Sequence, residues 1–197
     1  MKEMKVRLTF IEEVLGSAPT DKEIFATYIA SKGPDAMTKE EEIAALGEEE
    51  VLEKSMTVFP RTEDGKPMMW DYQVKGMFKN AAKAFGYVGG KVKLTAYKSK
   101  IDNLVFIKER KIPYILPAGG EIGNCQRPLR ASTAQGERIA LANSESIPAG
   151  TTVEFTIEVL VDELMEHVVR WLDYGRWNGL GQWHNSGKGR FTWEDIT

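Results

Sequence analysis

The stretch Gly179–Phe191, GLGQWHNSGKGRF, follows the last helix-like segment of the chain and runs into a short strand-like one. Its four glycines, Gly179, Gly181, Gly187 and Gly189, leave the backbone free to take positive φ and to come close to a partner. Between them stand donors and cations, Gln182, His184, Asn185, Ser186, Lys188 and Arg190, with one aromatic, Trp183. Backbone N–H groups in such a loop can face an anion while the ring stacks a base, so the mixture suits a phosphate backbone. The spacing is not GxxxxGK[ST]. The loop also ends in a strand instead of opening a helix, which excludes a dinucleotide fingerprint. A glycine-rich turn between helix and strand is the plain alternative.

Outward from the loop, the flanks are regular. Asp162–Tyr174, DELMEHVVRWLDY, has helical spacing, with Leu164, Met165, Val168, Val169 and Leu172 inward and Asp162 near its cap. His167 falls beside that stripe and reads as a satisfied or surface histidine. Phe191, Trp193 and Ile196 alternate as a last strand. Upstream, Pro148-Ala149-Gly150 is a tight turn, and 152–160 alternates as a central strand. At the other end of the chain, Met4–Phe10, MKVRLTF, alternates as a strand expected at the centre of a sheet.

The intervening segments are less uniform. Asp21–Lys32 has helical spacing, and Thr38 with Glu41 forms a capping-box pattern opening an acidic helix to about Lys54. Seven glutamates (Glu40, Glu41, Glu42, Glu48, Glu49, Glu50, Glu53) make that helix a solvated face, or a surface for a basic partner. Met56–Tyr72 reads as a hairpin turning at Glu63–Lys66, followed by an amphipathic helix, Gln73–Tyr87, with Asp71 as its cap. Lys91–Lys100 surrounds Tyr97 with cations and reads as an exposed helix or strand edge, and 102–110 is strand-like. Arg127, Arg130 and Arg138 fall in a Gly/Ser/Thr/Gln-rich stretch read as a loop.

The 197 residues, 42% hydrophobic and 28% charged, suffice for a substantial core. No apolar run approaches a membrane span and no signal-peptide pattern opens the chain, so a cytoplasmic protein is expected. A single cysteine, Cys125, excludes an internal disulfide and a cysteine-based metal site. A net charge of −3 argues against coating nucleic acid by charge alone, although local sign matters more than the sum.

Three ordered features resemble the RAMP superfamily, the RNA-binding proteins known as backbone and processing subunits of CRISPR complexes. The late glycine-rich loop carrying Lys188 and Arg190 is the first. Gly65-Lys66-Pro67 followed by Lys75-Gly76 is the second, although Trp70, Asp71, Tyr72 and Gln73 replace the small residues usual before that helix. The third is Glu145–Phe155, ESIPAGTTVEF, which is similar to the acidic residue and V-P-x-G-T-x-F pattern leading into a strong strand. The resemblance covers roughly Met4 to Phe191, with 16–54 the least conforming part.

The resemblance implies an α+β fold, a ferredoxin-like or RRM-like antiparallel sheet with helices on one face. The chain 1–197 would form one RAMP-like domain, with 17–55 a helical acidic insertion. It also implies sequence-independent binding of single-stranded RNA, without a metal or cofactor. Gly181, Gln182, His184, Gly187, Lys188, Gly189 and Arg190 would cradle the strand, Lys75 and Lys79 would add helix contacts, and Arg127, Arg130 and Arg138 would close over it. A homo-oligomer or larger assembly is compatible. Two other classes fit the same residues: a protein-interaction module that imitates or caps a CRISPR-type or other defence complex, favoured by the glutamates, and a metal-independent endoribonuclease. In the latter His184 would be the base and Lys188 the charge stabiliser.

Overall fold

A computed structural model describes residues 1–19, 56–133 and 136–197. The expected helices at 21–32 and 38–54, and with them most of the acidic segment, lie outside the described residues.

The main sheet is built from four strands, β1 (Lys2–Phe10), β6 (Val105–Ile107), β10 (Thr152–Val159) and β11 (Phe191–Asp195), in the order β11-β1-β10-β6 with every pairing antiparallel. Helix α1 (Asp71–Gly86) lies in the connection from β1 to β6, and α3 (Met165–Asn178) joins β10 to β11. This is the βαββαβ connectivity of ferredoxin-like folds, within an α+β architecture. The strands expected at Met4–Phe10 and 152–160 are the two central ones.

Alternation explains the layering. In β1 the residues Met4, Val6, Leu8 and Phe10 are buried, and in β10 Val153, Phe155, Ile157 and Val159. The register sets Val6 opposite Phe155 and Leu8 opposite Val153, so both rows share one face. Val74, Met77, Phe78, Ala81 and Ala82 of α1 and Val168, Trp171 and Leu172 of α3 join the same core, with the Phe78 and Trp171 rings 5.5 Å apart. Each fully buried Val, Leu, Met or Phe among them contributes roughly 1.5–3 kcal/mol, the alanines less. The opposite face carries ion pairs: Arg7 bridges Glu154 at 2.8 Å and Glu194 at 2.9 Å, and Lys108 meets Glu3 at 3.3 Å.

A second sheet contacts the loop of interest through Val14, Leu15, Arg127 and Ser144. It comprises β2 (Val14–Leu15), β3 (Ala18–Pro19), β4 (Thr57–Val58), β8 (Gly123–Thr133) and β9 (Gly136–Ile147), with β9 paired to β2, β4 and β8. A short pair, β5 (Met68–Trp70) with β7 (Lys111–Pro113), leads into α1. Helix α2 (Tyr97–Leu104) runs directly into β6.

Several expectations are corrected. The stretch carrying Arg127, Arg130 and Arg138 is not a loop but a long antiparallel hairpin, paired from Gly123–Ser146 to Thr133–Gly136. Among the described residues β8 pairs only with β9, so Pro128 lies on an edge strand, where proline is tolerated. The hairpin expected over Met56–Tyr72 is reduced to a bridge between Arg61 and Pro67, beyond which β4 and β5 pair with different strands. Strand-like 102–110 begins as the end of α2 and becomes a strand only at Val105. The cap of α1 is Trp70 instead of Asp71, its N–H bonded to Gln73 Oε1 at 2.9 Å.

Candidate nucleic-acid interface

The backbone of the glycine loop is folded upon itself. Gly179, Gly181, Gly187 and Gly189 all take positive φ, and so does Trp183 at 57°. Leu180 N–H donates to Gly189 O at 2.9 Å, and Gly189 N–H donates to Glu13 O at 2.8 Å. A Cβ on Gly189 would stand 1.8 Å from Leu180 O, and one on Gly181 would stand 3.1 Å from Val14 Cγ1. These glycines therefore serve close packing against β2 and across the loop neck. The N–H groups of Leu180, Gly187 and Gly189 are spent on internal bonds, the second of them to His184 O at 3.0 Å.

What the loop presents instead is a set of side chains around Arg127. This residue, only 6% exposed, donates from Nη1 to Ser144 Oγ at 3.1 Å and from Nη2 to Gln182 Oε1 at 2.9 Å. Its guanidinium lies 5.0 Å from the centre of the half-buried Trp183 ring. Ser144 is hydrogen-bonded to Thr57, hydroxyl to hydroxyl, at 2.6 Å. The network thus clamps the base of the β8–β9 hairpin to the loop. Arg127 Nε is buried without a hydrogen-bond partner, and no carboxylate pairs with this cation among the described residues. A buried charge normally requires a counter-charge, because desolvation costs several kcal/mol. The cluster is suited to an anion beside an aromatic face.

The other expected residues sit as follows. Lys188 Nζ pairs with a carboxylate oxygen of Glu13, and that hydrogen bond raises the Lys188 pKa. Arg190 Nε donates to Trp177 O at 3.1 Å. His184 Nδ1 is hydrogen-bonded with Asn178 Oδ1 at 2.7 Å. Lys75 donates to Asp102 O at 3.2 Å and lies 4.9 Å from the Phe106 ring, burial lowering its pKa, while Lys79 meets Asp102 at 2.6 Å. Both helix lysines are thereby held toward α2 and β6, and no bond joins them to the loop among the described residues. Arg130 and Arg138 have their backbones in the hairpin, and their side chains lie outside the described residues. Gln182 and Arg127 are thus the expected residues that the fold brings together. Ser144, Thr57 and Glu13 complete the arrangement and carry no motif that could have singled them out. No group of three or more metal-ligating side chains occurs among the described residues, and no described helix is long and apolar enough to cross a membrane.

No family model and no curated protein sequence matches the chain. Solved structures do resemble it. The chain aligns over its whole length with 60% of a chain in Type III-B Cmr-beta bound to cognate target RNA, determined by cryo-EM, at 11% identity and a TM-score of 0.54. It aligns over 97% of its length with 97% of Cmr6 from Pyrococcus furiosus, at 10% identity and a TM-score of 0.52. A Type IV-B CRISPR complex gives 10% identity and a TM-score of 0.50, covering the whole of this chain and 91% of its own. The chain thus spans 60% of the length of the first of these, less than two thirds. At such identities the likeness is one of fold: the chain folds like Cmr6 and like chains of these two CRISPR complexes.

Proposed function

We propose that this protein binds single-stranded RNA through the surface where the β8–β9 hairpin meets the glycine-rich loop, without sequence preference and without a metal or cofactor. The observation that carries the reading is Arg127, a buried guanidinium bonded to Gln182 of the loop and Ser144 of the hairpin, facing Trp183, with Nε unpaired. A phosphate supplies the missing anion and Trp183 offers a face for the adjoining base. The RAMP-type fold supports it, one of the similar structures being bound to target RNA. In this reading the chain acts in the cytoplasm as one RAMP-like domain with 17–55 as an insertion, and Arg130 and Arg138 belong to the RNA-binding residues.

The test is fluorescence anisotropy with labelled RNA oligomers of unrelated sequence at several salt concentrations. The expected result is similar affinity for all of them, with log K falling against log salt by about 0.7 per phosphate neutralised. Arg127→Gln and Lys188→Gln with Arg190→Gln should each weaken binding and flatten that slope. No binding at low salt, or binding indifferent to all three changes, overturns the reading.

One observation favours a protein partner instead. A groove of about 260 Å³ runs beside the edge strand β11, between Trp177, which is 63% exposed, and Trp193, with Asp173, Arg176 and Thr192 along it. Should RNA fail to bind, this groove is the surface to mutate in search of a protein partner.

A further inference from the structure

The loop and hairpin account for phosphate contacts but leave a second aromatic surface without a role. Trp70 and Tyr72, at the start of α1, lie parallel, with ring centres 6.5 Å apart and planes 13° from coplanar. Tyr72 is 56% exposed, and no other ring or cation packs on it among the described residues. Tyr72 contributes little to the core, so packing gives its ring no reason to hold this geometry against the half-buried Trp70.

The chain segment that carries the pair is held by several bonds. Trp70 N–H donates to Gln73 Oε1, and Gln73 Nε2 donates to Ser17 Oγ at 3.0 Å. Asp71 N–H donates to Arg110 O at 3.2 Å, and Arg110 Nη1 returns bonds to both carboxylate oxygens of Asp71, at 2.7 and 3.0 Å. The Arg110 guanidinium also lies 5.6 Å from the centre of the Trp70 ring. Asp71, which by itself would repel an anion, is therefore neutralised. Nearby Lys111 and Lys66 are likewise paired, with Glu63 and Asp64. The surface offers π area and little net charge, which suits a flat, uncharged heterocycle better than a phosphate.

Its position completes the argument. Ser17, the partner of Gln73, follows Leu15 by two residues, about 8 Å of chain at most. Leu15 and Val14 are the residues on which Gly181 of the glycine loop packs. The aromatic pair and the loop thus flank one short segment.

We propose that Trp70 and Tyr72 form a stacking platform for an unpaired nucleobase of the same RNA strand whose phosphates are held at Arg127 and the glycine loop. The proposal rests on the RNA-binding reading above and adds to it a site that recognises bases as flat surfaces, without reading their edges.

The experiment compares two 12-nucleotide ligands by anisotropy, an ordinary RNA and a ribose-phosphate oligomer lacking bases, with the wild-type protein, Tyr72→Ala and Tyr72→Phe. The expected result is that wild type prefers the base-bearing RNA and that Tyr72→Ala raises its Kd by about 5- to 150-fold. Tyr72→Phe should retain the preference, and binding of the abasic oligomer should be unchanged by either substitution. Because Tyr72 is exposed, thermal unfolding of both variants should match wild type. If Tyr72→Ala binds ordinary RNA as wild type does, the platform is refuted while RNA binding stands. If wild type binds neither ligand at low salt, the RNA reading fails and the platform falls with it.

Discussion

The ring of Phe191 occupies the space that any side chain at residue 175 would need: a Cβ built on Gly175 would stand 1.9 Å from Phe191 Cζ. Both residues are buried, one in α3 and the other opening β11, so the last strand is seated against bare helix backbone. Gly175→Ala should force the ring off its seat and destabilise the protein by about 1–3 kcal/mol. For a chain of this size each kcal/mol lowers Tm by roughly 2–4 °C. Gly76 in α1, where nothing lies within 4 Å of the added carbon, provides the contrast. There the same substitution should raise Tm slightly, because alanine is the better helix former.

His167 stacks on Trp171, with ring centres 5.9 Å apart, and burial lowers its pKa from the ordinary 6.5, helped by Arg170 and Lys100 and opposed by Glu166. Protonation is thus harder in the folded state than in the unfolded one. The contribution is fully present above pH 6.5 and is lost as pH falls through the lowered value. His167→Gln should flatten the dependence of Tm on pH in that window, as followed by thermal melts from pH 7.5 to pH 5. An unchanged profile would show that the ring is freely solvated.

Lys188 and Glu13 join the glycine loop to the segment preceding β2. The raised Lys188 pKa means that its stabilising contribution is whole below the ordinary 10.5 and disappears as pH rises through the folded-state value. The pair is partly exposed, so Lys188→Met should cost less than about 1 kcal/mol at neutral pH. Its Tm should fall less than that of wild type between pH 10 and pH 12. An identical decline in both would show that the ion pair does not hold the loop.

The elements with one apolar and one polar face were legible in the sequence. β1, β10 and α3 carry their periodicity openly, since each buries one face, and Phe191 with Trp193 marks β11. The β8–β9 hairpin was not, because Arg127, Asn143 and Ser144 place polar groups where a half-buried strand would have apolar ones. Only long-range bonds, from Arg127 to Gln182 and from Thr57 to Ser144, make those positions favourable. The glycine loop was recognisable by composition, whereas its use was not. Positive φ at Gly189 can be anticipated from residue type, but a carbonyl 1.8 Å from its absent Cβ depends on the whole fold. The role of Arg110 in cancelling Asp71 was hidden for the same reason, the two being 39 residues apart.

The placement of β1 between β10 and β11 bears on how the chain acquires its structure. Both its neighbours come from more than 140 residues later in the chain, and Glu13 is 175 residues from Lys188. Contacts of such separation pay their loop-closure entropy late and slow the search for the native state. Secondary structure in α1 and the β8–β9 hairpin can form as the chain emerges, whereas the central sheet must wait for its C-terminal strands. Until β10 and β11 have been made, the apolar row Met4, Val6, Leu8 and Phe10 lacks the two strands that pair with it in the fold.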